Sequence, residues 1–370
     1  MKINNINVKT KSKSYKIYFG DSVINKVSFL IKNKSPETKN VLIICDKKVP
    51  RTIFNKLKSS LNKYNTFVYK ISVNEKIKTF QEANKIIKKL LKNNFNRSDC
   101  VISLGGGVTG DLSAFVSSIT KRGIKFINIP TTLLAQADAS IGGKTGVNSS
   151  EGKNLIGTFY QPEFVIIDTS TLKSLPKREM VCGYAEILKH SIILDKKFFL
   201  WLTKHGKEII NNKNKKSLKK AIIKSCKIKA KIVSKDEKEK NLRMILNFGH
   251  TFAHGFESAN NFSSTLNHGE AVLIGMLVAS KFSYERKILS LKELSLLKRH
   301  YLDLGLPFKV KKFIKKNKIN KIIYHMKKDK KNLSEKINLI LLKKIGKTTK
   351  PNNLNFKDRD IKKFLAEEYI

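Results

Sequence analysis

Apolar residues follow two regimes in this chain, and the change falls near residue 176. In the first, short unbroken runs are rich in β-branched residues and stop at an acid or a turn former. They are Val41-Leu-Ile-Ile-Cys45 closed by Asp46, Val101-Ile-Ser-Leu104 closed by Gly105, Phe126-Ile-Asn-Ile129 closed by Pro130, and Phe164-Val-Ile-Ile167 closed by Asp168. Runs of this length and kind predict buried strands. Between them, residues 51–63 and 77–94 carry the spacing of amphipathic helices. Strands alternating with helices predict a parallel α/β sheet over residues 1 to about 175. Beyond Leu175-Pro176, helical periodicity with Lys-rich polar faces takes over, with one strand pair expected around Ile337 to Leu342. The expected architecture is an α/β N-terminal domain with a Rossmann-like parallel sheet (1–176) followed by a mostly α-helical C-terminal domain (177–370). A chain of 370 residues is long enough for both cores.

Charge complicates this picture. The formal net charge is +46, a value that ordinarily points to nucleic acid or an anionic membrane. Only eight of the 75 basic residues are Arg, however, and the Lys are spread along the chain among abundant Asn and Ile. That mixture resembles the drift of an A/T-rich genome. A nucleic-acid reader would favour Arg for base edges and interleave aromatics with its basic patch. Specific nucleic-acid binding is therefore not expected, although weak, salt-sensitive adsorption to polyanions is. The four cysteines are far apart, form no CxxC pair and sit in or beside apolar runs, as buried thiols of a reducing compartment do. Met1 to Gly20 lacks the continuous apolar segment of a signal peptide, and no apolar run approaches 18 residues. The expected location is the cytoplasm.

Three stretches carry candidate chemistry. Gly105-Gly-Gly107-Val-Thr-Gly110-Asp111 matches GxGxxG between a strand and the apolar helix Leu112 to Ile119, the context in which glycines bring backbone amides to a pyrophosphate. The acid that usually takes the ribose some 20 residues on is replaced by Ile129-Pro-Thr131-Thr132. A dinucleotide would thus be held by a variant arrangement, with Asp46 as a candidate ribose ligand. Next, Ala137 to Asn148 and Gly152 to Gly157 are too Gly-rich for a helix and too apolar for a disordered linker, so they form a shaped loop. Lys144, Lys153 and Asn154 there, with Arg122, suit phosphate or carboxylate. No Gly-x-x-x-x-Gly-Lys-Thr occurs, which argues against an ATP-dependent activity.

The third stretch, Asn247-Phe-Gly-His250-Thr-Phe-Ala-His254 followed by Leu266-Asn-His268-Gly-Glu270, holds three of the chain's seven histidines. His250 and His254 share a helix face, and His268 opens a second apolar run. Upstream, Glu186, Lys189 and His190 stand at helical spacing in Gly183-Tyr-Ala-Glu186-Ile-Leu-Lys189-His190. A Glu and two His with an open position form a catalytic zinc set. Spacing alone would pair His250 with His254. His190, His205, His300 and His325 fit no such constellation.

Taken in order, these motifs resemble the sugar phosphate cyclase family, and within it the 3-dehydroquinate synthases. The resemblance rests on residues 105–111, Ile-Pro-Thr-Thr-Leu-Leu-Ala-Gln (129–136), Asp138 through Asn148, Gly-Lys-Asn-Leu-Ile-Gly (152–157), Gly-Tyr-Ala-Glu (183–186) and residues 247–254. It implies a dehydroquinate synthase-like fold and conversion of 3-deoxy-D-arabino-heptulosonate 7-phosphate to 3-dehydroquinate and phosphate, the second step of the shikimate pathway. It also implies catalytic NAD, a divalent metal (zinc, with cobalt as an alternative) and a homodimer. By the resemblance, the metal ligands are Glu186, His250 and His268. His254 then takes a substrate-phosphate or proton-relay role. NAD would be met by Asp46, Glu75, Lys78, Gly106, Gly107, Val108, Thr109, Gly110, Asp111, Thr131, Thr132, Lys144 and Lys153, and by Thr171, Leu172, Lys173 and Ser174. The substrate and its chemistry would fall to Asp138, Lys144, Asn154, Lys189, Lys229, Arg243, Asn247 and His254. Arg122 would come from the partner subunit, and Lys330 or Lys331 would add a further contact.

Two departures stand out: Asn74 precedes Glu75 where the family more often has Gly, and the Lys content is far above the family's habit. The second implies lowered stability through like-charge repulsion. The competing readings are another sugar phosphate cyclase and an NAD- and metal-dependent polyol dehydrogenase. The latter would not need Lys144, Asn154, Lys229 and Arg243 as a phosphate-binding group.

Overall fold

The computed structural model describes residues 3–327 and 336–367. The chain divides into two compact units, Met1–Glu179 with Lys229–Lys238, and Met180–Ile228 with Glu239–Ile370.

In the first unit the strands are β1 (Asn4–Lys9), β2 (Ser14–Gly20), β3 (Asn40–Asp46), β4 (Asn65–Ile71), β5 (Cys100–Gly105), β6 (Lys125–Pro130), β7 (Lys144–Ser149), β8 (Gly152–Phe159) and β9 (Phe164–Asp168). Its helices are α1 (Val27–Lys34), α2 (Arg51–Ser60), α3 (Phe80–Lys92) and α4 (Gly107–Ile119). Seven strands form one sheet in the order β1-β2-β9-β6-β5-β3-β4. Only β1 runs antiparallel, to β2. The unbroken apolar runs have a physical reason. Val41, Ile43 and Cys45 of β3 enter one core with α1 and α2, while Leu42 and Ile44 enter another with α3 and α4. A strand covered on both faces cannot alternate.

The strands that sequence patterning left unassigned are those with a wet face. In β2, Tyr15, Ile17, Tyr18 and Phe19 are buried, while Ser14 is exposed and Lys16 half-buried, so one face is wet over the first half of the strand only. In β4 only Ile71 is buried. The Gly-rich segment is an antiparallel hairpin, β7 with β8, rather than an irregular loop.

The second unit is mostly helical: α5 (Lys177–Leu194), α6 (Lys196–Ile210), α7 (Lys215–Lys235, whose last residues belong to the first unit), α8 (His250–Ala259), α9 (His268–Glu285), α10 (Leu291–Leu304), α11 (Ile319–Lys327) and α12 (Asp358–Glu367). Helix starts are fixed by side chains. Asp195 accepts from Phe198 N, Ser290 from Glu293 N, and Asn267 with Glu270 forms a reciprocal capping box at α9. α9 is buried nearly all round, as its continuous apolar sequence requires. Around residues 337–342 the expected single strand pair is replaced by two. β10 (Ile337–Asn338) pairs with β13 (Asn355–Phe356), and β11 (Leu342–Lys344) with β12 (Lys347–Thr348). Both partners lie in polar, Gly- or Asn-containing sequence that gives no strand signal. Among the described residues no helix is long and apolar enough to cross a membrane.

Candidate functional site

The carboxyl ends of parallel strands are where doubly wound sheets gather their ligands, and the residues expected to meet NAD lie there, apart from Lys144 and Lys153 on the β7–β8 hairpin. Asp46 ends β3, Glu75 and Lys78 follow β4, Gly106 to Asp111 follow β5, Thr131 and Thr132 follow β6, and Thr171 to Ser174 form a 3-10 turn after β9. Gly106 is the N-cap of α4 and no side chain caps the helix, so its first amides face the glycine loop as an anion site would require. Gly106, Gly107, Gly110, Asp111, Lys144 and Thr145 line one concave surface.

A polar chain joins two of these loops to the β7–β8 hairpin. Lys78 is buried, ion-paired with Asp111 and hydrogen-bonded to Asn154 Oδ1. Asn154 stands at φ 56° and donates its backbone N–H to Asn148 Oδ1 at 3.0 Å. Asn148 in turn donates to Glu75 Oε1 at 2.9 Å. Asn148 is a loop-pinning residue that motif matching does not single out; its signal is an Asn two residues after a hairpin Gly, where side-chain amides commonly pin loops. Asn74, where Gly is more frequent, has extended backbone (φ −146°) and accepts from Ile77 N, so the turn needs no glycine.

Also in this unit, Lys229 is buried and its Nζ lies 2.8 Å from Asp138 Oδ2 and 2.8 Å from the Asp138 carbonyl. Lys144 opens β7 and is exposed, and Lys153 is half-buried at the start of β8. Arg122 is exposed in a turn where Lys121 and Arg122 both hold positive φ, 50° and 62°. Arg97 Nε donates to the Lys121 carbonyl at 2.7 Å and braces that turn.

The second unit brings Glu186, His250 and His268 together. One donor atom from each lies within 4.8 Å of the others, and His254 does not join that group among the described residues. The pairing His250 with His254, favoured by spacing alone, is thus replaced. The imidazoles of His250 and His254 meet edge to face at 5.6 Å between ring centres. Two glycines make the convergence sterically feasible. A Cβ on Gly275 of α9 would stand 2.3 Å from the Gly249 carbonyl oxygen at the start of α8, and one on Gly269 would stand 2.3 Å from Cys182 Cα of α5. α9 can therefore lie close enough to both neighbours for Glu186 on α5 and His250 on α8 to reach its first residue, His268.

Glu186 Oε1 is 3.4 Å from His250 Nε2 and 3.7 Å from His268 Nε2. Donors of a tetrahedral zinc site with bonds of about 2.0–2.1 Å stand about 3.4 Å apart, so the trio fits a zinc- or cobalt-sized ion with little movement. The nitrogens turned away from this point are also engaged: His250 Nδ1 lies 3.3 Å from the Phe248 carbonyl, and His268 Nδ1 lies 3.3 Å from Glu257 Oε2. Burial opposes charge on Glu186, but the paired Lys189 ammonium and His250 outweigh it and hold the carboxyl well below its ordinary range. Burial, aided by Lys189, lowers His250 to about 4, keeping it neutral as a metal ligand must be. Burial also disfavours charge on His268, yet Glu257 and Glu186 outweigh it and raise that imidazole to about 10, so a metal ion binding here would have to displace its Nε2 proton, in the place where Glu186 now accepts it. Arg243 is buried on the 3-10 turn Leu242–Asn247, and Asn247 at its end donates to Glu239 Oε1 at 2.8 Å. Lys330 and Lys331 lie outside the described residues. His190 is a core residue bonded to Ser225 through Nδ1 at 2.5 Å, and His300 is bonded to the Tyr184 hydroxyl at 2.9 Å.

Comparison with known proteins settles the lineage. Residues 68–182 match the family described as 3-dehydroquinate synthase N-terminal and residues 183–332 its C-terminal counterpart. A 3-dehydroquinate synthase of Pelagibacter ubique is 50% identical over 363 residues, 98% of each chain. The chain belongs to the 3-dehydroquinate synthase family. Its activity is that of the family, formation of 3-dehydroquinate. Two solved structures share the fold. A 2-deoxy-scyllo-inosose synthase complexed with carbaglucose-6-phosphate, NAD+ and Co2+ aligns with TM-score 0.88 at 24% identity, covering 98% of this chain and 100% of that one. A 2-epi-5-epi-valiolone synthase from Streptomyces hygroscopicus with NAD+ and Zn2+ bound aligns with TM-score 0.82 at 24% identity, covering 100% and 99%. A synthase of this family thus has a parallel-sheet unit and a helical unit, the architecture its hydrophobic pattern predicts.

Proposed function

We propose that this synthase acts on 3-deoxy-D-arabino-heptulosonate 7-phosphate with NAD and one divalent metal, zinc or cobalt, as catalytic groups, and that Glu186, His250 and His268 hold the metal. The observation that carries the reading is the spacing of the three donors, which suits such an ion in atom type and distance. NAD+ with Co2+ or Zn2+ in two proteins of the same fold supports it. When bound, NAD would take a hydride from a secondary alcohol and return it after phosphate has left, while the metal would polarise the substrate hydroxyls as a Lewis acid.

The remaining work falls to side chains. The ketone formed by oxidation acidifies the neighbouring C–H, so elimination of phosphate needs a proton acceptor and charge compensation. In the first unit Lys144 and Asn154, and in the second Arg243 and Asn247, carry donors suited to a substrate bearing both carboxylate and phosphate. His254 is the candidate to bind the phosphate or relay its proton. Lys229 is held by Asp138, and Lys189 by Glu186, so both cations are fixed before substrate arrives. Lys78 and Asp111 would shape the NAD loop rather than contact reacting atoms. We further propose a cytoplasmic homodimer in which Arg122 serves the partner's substrate. Its exposure on a braced turn supports that role, and four buried free thiols support a reducing compartment.

The test is phosphate release from the heptulosonate phosphate with NAD and zinc present, recorded together with NADH absorbance. Stoichiometric phosphate and dehydroquinate without net NADH, abolished by chelator and by His250→Ala, is the expected result. Net NADH from a simple polyol without phosphate would instead assign a dehydrogenase.

A further inference from the structure

His268 has a weakness as a metal ligand. It is the first residue of α9, and 37% of its side chain is exposed, against 11% for His250. Packing alone does not fix its ring. A ligand imidazole also needs its proton on the far nitrogen, so that the near lone pair is free for the ion. The far nitrogen, Nδ1, lies 3.3 Å from Glu257 Oε2, while Nε2 faces Glu186 Oε1. Glu257 is itself buried, an expensive place for a carboxylate that serves no purpose. It follows His250 and His254 on α8 at the i+7 position, so one helix face presents a ligand, the neighbouring imidazole and this acid in turn. His250 has a backbone carbonyl, that of Phe248, in the same role.

We propose that Glu257 is a positioning residue: it accepts the Nδ1–H of His268, fixes the tautomer and ring plane that aim Nε2 toward Glu186 and His250, and thereby sets the affinity of the site for its metal. This rests on the reading of Glu186, His250 and His268 as ligands. An acid held behind a ligating histidine restrains its rotation and raises its basicity, and losing one typically costs about 10–100-fold in metal affinity.

The experiment is a Co2+ titration of the full chain, stripped of metal by chelator, followed by visible absorption and by competition with a coloured chelator. Glu257→Ala should weaken Co2+ binding about 10–100-fold. Glu257→Gln, which keeps the shape and an acceptor oxygen, should fall between wild type and Ala and carries the comparison if the Ala variant does not fold. In a His268→Ala background, Glu257→Gln should have no further effect, because the group it positions is gone. Affinities unchanged by both Glu257 substitutions, or an equal loss with and without His268, would overturn the proposal. The two readings fail differently. A wild-type chain that takes up no equivalent of Co2+ sensitive to His250→Ala removes the metal site altogether, whereas a normal wild-type titration unmoved at Glu257 removes only the positioning role.

Discussion

His300 shows how one buried side chain makes stability depend on pH. Burial lowers its imidazole to about 4 from the ordinary 6.5, and it sits between Tyr184 and Phe199 with a 2.9 Å bond from Nε2 to the Tyr184 hydroxyl. Its Nδ1 is buried and finds no hydrogen-bond partner among the described residues. A proton on Nε2, donated to Tyr184, leaves only a lone pair unmet at Nδ1 and is the cheaper tautomer. Between the folded and unfolded values the unfolded chain binds more protons, so stability rises with pH. The contribution is complete above 6.5 and is lost as pH falls toward 4. From pH 7.5 to pH 5 the loss due to this group should be about 2 kcal/mol. His300→Leu removes the titration. The stability difference between wild type and variant, from urea unfolding, should therefore shift in the variant's favour by about that amount between the two pH values. A difference that stays constant would mean His300 is not titrating in this range.

At the scale of elements, the metal trio depends on how closely helices approach. A methyl on Gly275 would strike the Gly249 carbonyl at 2.3 Å and Ala253 N at 3.0 Å, both backbone atoms that no rotamer change can move aside. Gly275→Ala must push α8 from α9, at about 1–3 kcal/mol in stability, and separate His250 from His268. Metal sites tolerate about 0.2 Å, so Co2+ affinity should drop as well. Gly305→Ala is the contrast: its φ is +62° but nothing lies within 4 Å, so it should cost about 1 kcal/mol of helix-end strain and leave Co2+ binding intact. Urea unfolding and Co2+ titration of both variants decide the matter, and equal metal affinity in the two would sink it. This dependence also explains what was legible beforehand. The doubly covered strands β3, β5, β6 and β9 announce themselves as apolar runs, whereas β2 and β4 carry exposed or half-buried positions and β7 and β8 are written in glycines, so none of those four is legible as a strand. Glu186, His250 and His268 come from three helices, and helical spacing, a local rule, could offer only His250 with His254. Their meeting depends on Gly269 and Gly275, whose role is a matter of tertiary distance. Glu257 lay within reach of the pattern, at i+7 from His250, but an acid on a helix usually faces water.

For the molecule as a whole, a net charge of +46 acts in two opposite directions. Like charges repel within the folded state, and salt screens them; the screening length falls from about 30 Å at 0.01 M to about 8 Å at 0.15 M. Raising NaCl from 10 to 300 mM should therefore raise the melting temperature, by about 3 °C if screening recovers about 2 kcal/mol. The substrate is an anion with a carboxylate and a phosphate, and the same field draws it in. Screening should lower kcat/KM over the same range while kcat, set after binding, changes little. Opposite signs in one buffer series distinguish this account from a general salt effect, which would move stability and substrate capture together. A +46 protein whose melting temperature falls with NaCl would have to neutralise its charge locally, through ion pairs beyond those seen here. Acids cannot do this for most of the surface, because 29 Asp and Glu stand against 75 basic residues, and some of those acids, such as Asp111 with Lys78 and Asp138 with Lys229, are engaged within the proposed active-site residues.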